Sequence, residues 1–364
     1  MGKPRYLILE DGGIYEGLAF GADLPEKPQI GEVVFTTNMT GYTETLTDPS
    51  YDGQIVLQTF PLIGNYGVNP LDKESRRSFV TGYIVSENCG EPSHFGSSGT
   101  LDAFLKTQGV PGLYGIDTRS LTKRIRTSGV LRGCFSETPD AISADSLKAW
   151  SIGDAVARVT IREPERYTAE KPQRTVVLWD FGVKYSSVHR LLERGCNVVV
   201  VPSFWTCGQI LAENPDGVLL SNGPGDPEEN VQVIQEIARL KSAGVPIFGI
   251  CLGHQLLALA GEGATHKLKY GHRGGNHPVL DLESRRTYIT SQNHGYAVRL
   301  DALPPGAKVR YINANDRTCE GLDYTDAPAF SVQFHPEARG GPRDTEFLFD
   351  RFIALMDDNT KEVA

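Results

Sequence analysis

The sequence predicts an α/β protein in two domains: a β-rich domain over residues 1–165 and, after a linker, a doubly wound, mostly parallel-sheet domain over residues 174–360. Three observations carry this. At 364 residues the chain is long enough for two cores of roughly 150 residues each. Its first half holds short β-like runs punctuated by glycine and proline. Its second half alternates continuous apolar runs, which suit strands buried on both faces, with helical segments.

In chain order, the runs 6–9, 14–20, 32–37, 54–59 and 79–86 read as strands. Residues 100–108 read as a helix because Leu101, Phe104 and Leu105 fall on one face. Residues 117–127 read as another, with Asp117 or Thr118 as the cap and Leu121 and Ile125 repeating at i, i+4. Nothing in this half has catalytic spacing, and His94 is expected to be a solvated loop residue. The stretch 161–174 is charged, carries prolines and has no hydrophobic period, so it reads as the linker.

Beyond it, strands are expected at 175–179, 197–201, 217–220 and 245–250, and helices at 184–194, 207–213 and 230–243. A final helix at 345–356 places Phe349, Phe352, Ile353 and Met356 on one apolar face. In parallel sheets, ligands bind outside the C-terminal strand ends. That is where Cys251 and the loop Asn222-Gly-Pro-Gly-Asp-Pro227 both fall.

The bulk numbers exclude some functions. A net charge of −9 and a pI near 5.5 argue against nucleic acid or an anionic membrane as the main partner, since both need a basic surface. The apolar run 6–9 closes at Glu10 and Asp11, so no signal peptide or membrane span is expected, and Tyr6 stands where myristoylation wants Ser or Thr. The six cysteines are scattered without a C-x-x-C pair and read as thiols of a cytoplasmic protein, neither a disulfide framework nor a zinc site. The sequon at Asn38 then carries no information.

The chemistry centres on Gly249-Ile-Cys251-Leu-Gly253-His-Gln255. A short buried strand meeting a helix at a residue between two glycines is the nucleophile-elbow pattern, here with cysteine in the serine position. The glycines let strand and helix approach closely, and the helix N-terminus favours the thiolate. Most cysteines are merely buried structural residues; the elbow context makes Cys251 the nucleophile candidate. The N–H groups of Gly223 and Gly225 could form an oxyanion hole with that of Leu252, or the loop is an ordinary glycine-proline turn. It is not a phosphate-binding loop, because G-x-x-x-x-G-K-[ST] is absent. In Phe334-His335-Pro336-Glu337, Pro336 pushes His335 into extended conformation, and residues i and i+2 then point to the same side. His335 oriented by Glu337 is what a thiol nucleophile needs. His272 and His277 are not expected to hold a metal, since they are not an i, i+4 pair and no acidic ligand lies between them. Residues 291–296 read as a polar turn whose backbone could line a pocket for a small polar substrate.

Together, Gly223-Pro-Gly-Asp-Pro227, the stretch 249–255 and His335-Pro-Glu337 resemble the class I (triad) glutamine amidotransferases. Lys269-Tyr-Gly-His-Arg-Gly-Gly-Asn-His-Pro278, Gln292-Asn-His-Gly-Tyr296, Asn38-Met-Thr-Gly-Tyr-Thr-Glu-Thr-Leu-Thr-Asp-Pro-Ser-Tyr51 and Gly115-Ile-Asp-Thr-Arg-Ser-Leu-Thr122 narrow the resemblance to the small, glutamine-hydrolysing subunit of carbamoyl-phosphate synthetase. It implies hydrolysis of glutamine to glutamate and ammonia, with ammonia channelled to a large subunit. That partner would make carbamoyl phosphate from ammonia, bicarbonate and ATP, for arginine and pyrimidine synthesis. No cofactor is implied on this chain; ATP and a divalent metal are expected on the partner. The resemblance makes Cys251 the nucleophile, His335 the base and Glu337 its orienting carboxylate. Glutamine would be held by Ser50, Gly223, Gly225, Leu252, Gln255, Asn293, Gly295 and Tyr296, where the family often has Phe at the last position. Ser50 would place the pocket at the domain boundary. Two other readings are a stand-alone cysteine hydrolase of the same fold, such as a γ-glutamyl peptidase, and a catalytically silent interaction subunit. The first leaves the N-terminal half unexplained, and the second is disfavoured by the presence of Cys251.

Overall fold

The computed structural model of the protein describes residues 2–363. The chain folds as two units, Met1–Gly153 and Asp154–Ala364. Among the described residues of the first unit, seven strands close a barrel. Going round it they are Pro4–Leu9, Ile14–Gly21, Pro111–Tyr114, Gly82–Val85, Gln54–Gln58, Ile30–Thr36 and Leu131–Ser136, the last pairing again with the first. Closure leaves no open sheet edge. Val34, Val56, Tyr83 and Val85 pack in one buried cluster with Leu101 and Leu105 of the helix Leu101–Gln108. Thr100 caps that helix by accepting from the Ala103 N–H, and Asp117, not Thr118, caps Thr118–Ser128 by accepting from the Ser120 N–H.

Two barrel strands, Pro111–Tyr114 and Leu131–Ser136, carry no clear pattern in the sequence because each contains a glycine. Close packing requires those glycines. A Cβ on Gly112 would lie 2.4 Å from the Phe20 ring, and one on Gly133 would lie 2.9 Å from the Ile8 carbonyl oxygen.

The second unit is built on a ten-stranded sheet in the order Glu165–Tyr167, Cys196–Pro202, Arg174–Asp180, Gly217–Leu220, Ile247–Ile250, Ala329–Val332, Cys319–Tyr324, Ala307–Asn313, Thr265–Asp281, Thr287–Val298. The five strands from Cys196–Pro202 to Ala329–Val332 pair in parallel, and antiparallel strands extend the sheet on both sides. Both faces are covered. Val177 and Trp179 pack in a cluster with Ile237 and Leu240 of the helix Val231–Ser242 and Leu256 of the helix Leu252–Ala260. Val176 and Leu178 pack on the opposite side with Val188 and Leu191 of Tyr185–Leu192 and with Phe349, Phe352 and Met356 of the final helix, Phe347–Val363.

Two expectations are corrected here. The stretch 161–174 is no free linker. Ile161 is buried with its N–H bound to Asp180 Oδ2 at 2.7 Å, and Glu165–Tyr167 is an edge strand antiparallel to Cys196–Pro202. A three-residue strand paired on one side has no two-faced apolar pattern to read. Residues 291–296 are not a turn. They lie inside the strand Thr287–Val298, where Asn293 and His294 pair with Arg273 and His272 of Thr265–Asp281, and irregular registers on either side account for the polar, turn-like sequence.

Candidate active site

Cys251 sits between the strand Ile247–Ile250 and the helix Leu252–Ala260 with φ 53° and ψ −103°. A non-glycine residue is strained there, and the surroundings must hold it. The Cys251 N–H donates to the Val332 carbonyl at 2.9 Å. A Cβ on Gly253 would lie 2.3 Å from the Leu220 carbonyl oxygen, and one on Gly249 would lie 2.8 Å from that of Gly253. The elbow glycines therefore exist because strand and helix backbones nearly touch. Cys251 is 2% exposed, and its thiol donates to the Asn293 carbonyl at 3.6 Å.

His335 Nδ1 lies 2.8 Å from Glu337 Oε1, both buried. The pairing comes from a turn over Pro336, in which the Ala338 N–H donates to the His335 carbonyl at 3.3 Å, and not from extended chain. With Nδ1 donating to the carboxylate, Nε2 is left for chemistry. Nε2 is buried and makes no hydrogen bond within ordinary limits, yet the Cys251 sulfur stabilises the ring's charged form, as a group poised beside it does. Burial and Lys184 oppose protonation of His335, but Glu337 and Cys251 outweigh them and raise its pKa to about 10. Burial likewise pushes the Glu337 carboxyl up, and Lys184 with His335 overcomes this and pulls it down to about 2. Lys184 Nζ lies 2.6 Å from Glu337 Oε1. His254 is no rival base: burial pulls it down to about 3, and its Nδ1 is bound to Ser331 Oγ at 2.8 Å.

The candidate binding residues of this unit fall on the helix after Cys251, the 223–225 loop and the strand Thr287–Val298. Leu252 is the first residue of its helix, so its N–H has no intrahelical acceptor. Gly223 packs against it, since a Cβ there would lie 2.7 Å from Leu252 Cδ2 and 2.2 Å from the Phe181 carbonyl oxygen. Gly225, in the same loop, has φ +89°, a conformation suited to glycine. Gln255, one turn after Cys251, donates from Nε2 to the Tyr296 carbonyl at 2.8 Å. Gly295 lies between Asn293 and Tyr296 on the same strand. Ser50 belongs to the first unit, buried in the turn Pro49–Tyr51, where its N–H donates to Asp48 Oδ1 at 2.9 Å.

Among the described residues, His272, His294 and Glu320 bring three possible ligand atoms within 4.8 Å of one another. Most of their polar atoms are already engaged by neighbouring groups. His272 Nε2 is 2.8 Å from Asp316, the two His294 ring nitrogens face the Tyr296 carbonyl and Gln292 Oε1, and Glu320 accepts from Gln292 and Asn313. His272, opposed by burial, is raised to about 9 by Asp316 and Glu320 and so carries a proton where a metal would bind. The cluster reads as a buried polar network.

Lys184 was not legible as a site residue. Its signal is positional: it follows the end of the parallel strand Arg174–Asp180, where functional side chains of such sheets collect. The His335–Glu337 pair also sets a pH dependence. Depression of Glu337 stabilises the fold above the ordinary carboxylate pKa of about 4.3, and this is lost as pH falls from there towards 2. Elevation of His335 stabilises it below about 6.5, and this is lost as pH rises towards 10. Thermal melts of Glu337→Gln are therefore expected to lose part of the wild-type decline in Tm between about pH 4.5 and 2.5. An unchanged acid limb would detach Glu337 from that decline.

Comparison with known proteins gives a consistent family. Residues 177–355 match the family model described as glutamine amidotransferase class-I, and residues 7–135 match that described as carbamoyl-phosphate synthase small chain, CPSase domain. The chain is 49% identical over 361 residues to the carbamoyl phosphate synthase small chain of Fusobacterium nucleatum, covering 98% of this chain and 99% of that one. It is 48% identical to that of Syntrophotalea carbinolica, covering 97% and 98%, and 49% identical to that of Staphylococcus epidermidis, covering 98% and 97%.

Proposed function

Because this chain belongs to the carbamoyl phosphate synthase small chain family and carries its class I glutamine amidotransferase domain, we propose that it is the glutamine-hydrolysing subunit, working by a Cys251-His335-Glu337 triad. The observation that carries this reading is the strained, buried Cys251 beside a histidine whose other nitrogen is tied to a buried carboxylate. With the Cys251 proton held on His335 Nε2, the sulfur attacks the carboxamide carbon of glutamine. The oxyanion is received by the N–H of Leu252 and a glycine N–H of the 223–225 loop. His335 then gives the proton to the departing nitrogen, which leaves as ammonia, and a glutamyl thioester remains. Water attacks the thioester carbon while His335 takes its proton, the C–S bond breaks, and glutamate leaves. Glu337 stays ionised throughout and holds the imidazolium in place. Gln255, Asn293, Gly295 and Tyr296 hold the amino-acid end.

The ammonia is passed to a large synthetase subunit, which holds ATP and a divalent metal and makes carbamoyl phosphate for arginine and pyrimidine synthesis. The pure chain is expected to hydrolyse glutamine slowly and to make no carbamoyl phosphate from ATP, bicarbonate and glutamine. Carbamoyl phosphate formed by the chain alone would overturn the division of labour, and absence of any glutaminase activity, alone or with a large subunit, would overturn the reading itself.

A further inference from the structure

Gln333 is wholly buried, two residues before His335, with its backbone N–H bound to the Glu320 carbonyl at 2.9 Å. Its side chain makes one hydrogen bond: Oε1 accepts from Gln255 Nε2 at 2.9 Å, while its own Nε2 is buried without a partner. A buried amide left half unsatisfied asks for a reason, and nothing in the packing of the sheet supplies one. The reason lies in Gln255. The Tyr296 carbonyl can only accept, so the Gln255 atom 2.8 Å from it must be the amide nitrogen. That nitrogen has a second hydrogen, and the atom of Gln333 facing it must then be the oxygen. The orientation of each amide follows from one backbone carbonyl, which is itself held by His294 Nδ1 at 2.7 Å. With both hydrogens of Gln255 engaged, Oε1 is the polar atom of that side chain with no partner among the described residues, and it can only accept.

We propose that Gln333 is a positioning residue that locks the Gln255 carboxamide with its oxygen turned to the substrate, so that it receives an N–H of glutamine. This rests on the reading that glutamine is the substrate and that Gln255 contacts it. The hydrogen bond of the Gln333 side chain is to Gln255 and not to Cys251 or His335, so its removal is expected to act on binding and not on the chemical step.

The test is steady-state glutamine hydrolysis by the full chain carrying Gln333→Met, which keeps the volume but removes the acceptor. KM is expected to rise about 5- to 10-fold, the usual effect of one lost hydrogen bond, with kcat within about 2-fold of wild type and Cys251 alkylated by iodoacetamide at the wild-type rate. Gln333→Asn, one methylene too short to reach Gln255, is expected to match the Met variant and serves if that variant fails to fold. An unchanged KM in the Met and Asn variants, or a fall in kcat at constant KM, would overturn the proposal while leaving the glutaminase reading intact. A wild-type chain that hydrolyses no glutamine would remove the reading beneath it.

Discussion

His335→Asn is expected to lower glutamine turnover by roughly 10²–10⁴-fold, the usual scale for losing a general base, while KM for glutamine changes little. Asparagine cannot take the Cys251 proton or return it to the departing nitrogen. The residues proposed to hold the amino-acid end sit on other elements, and Gln255 keeps its bonds to Tyr296 and Gln333. The fold is expected to survive because Lys184 still neutralises Glu337, so the substitution strands no buried charge. Glu337→Gln should cost less than His335→Asn, since an amide oxygen can still accept from His335 Nδ1. Glu337→Ala is the wrong comparison, as it removes the acceptor that His335 Nδ1 and Lys184 Nζ share, whereas the glutamine amide oxygen can keep it. Rates and KM values for the two variants check the roles: if Glu337→Gln proved as damaging as His335→Asn, Glu337 would be more than an orienting group.

The legible part of the molecule was that in which local pattern and tertiary role agree. Continuous apolar runs such as Val198–Val201 can only be strands buried on both faces, and these gave the parallel core. The elbow was legible because its glycines have no other use: both stand where a Cβ would strike backbone. What escaped was set by contacts remote in sequence. The strands Pro111–Tyr114 and Leu131–Ser136 owe their glycines to Phe20 and Ile8, and Glu165–Tyr167 is a strand only because Cys196–Pro202 offers it an edge. In the site, His335 and Glu337 announced themselves by proximity. Lys184 comes from a different strand end, roughly 150 positions away, and no spacing rule reaches that far. Gln333 was in view beside His335, yet its role depends on the orientation of two amides, which only three-dimensional hydrogen bonding fixes.

The largest effect expected is that of Cys251→Ser. Loss of a triad nucleophile commonly costs on the order of 10⁶ in turnover, and a serine hydroxyl is far harder to ionise than a thiol. The exchange is nearly isosteric, and the forces that hold position 251 in its strained conformation are backbone ones: the bond to the Val332 carbonyl and the close approach at Gly253. The elbow and any docked subunit should therefore keep their form. On the proposed division of labour, ammonia supplied from solution bypasses this site and reacts directly on the large subunit. The decisive measurement is carbamoyl phosphate formation by wild-type and Cys251→Ser complexes of this chain with a large subunit, each supplied with glutamine or with an ammonium salt. The account predicts that the variant loses synthesis from glutamine and keeps synthesis from ammonium near the wild-type rate; synthesis from glutamine at an undiminished rate, or loss with both donors, would contradict it.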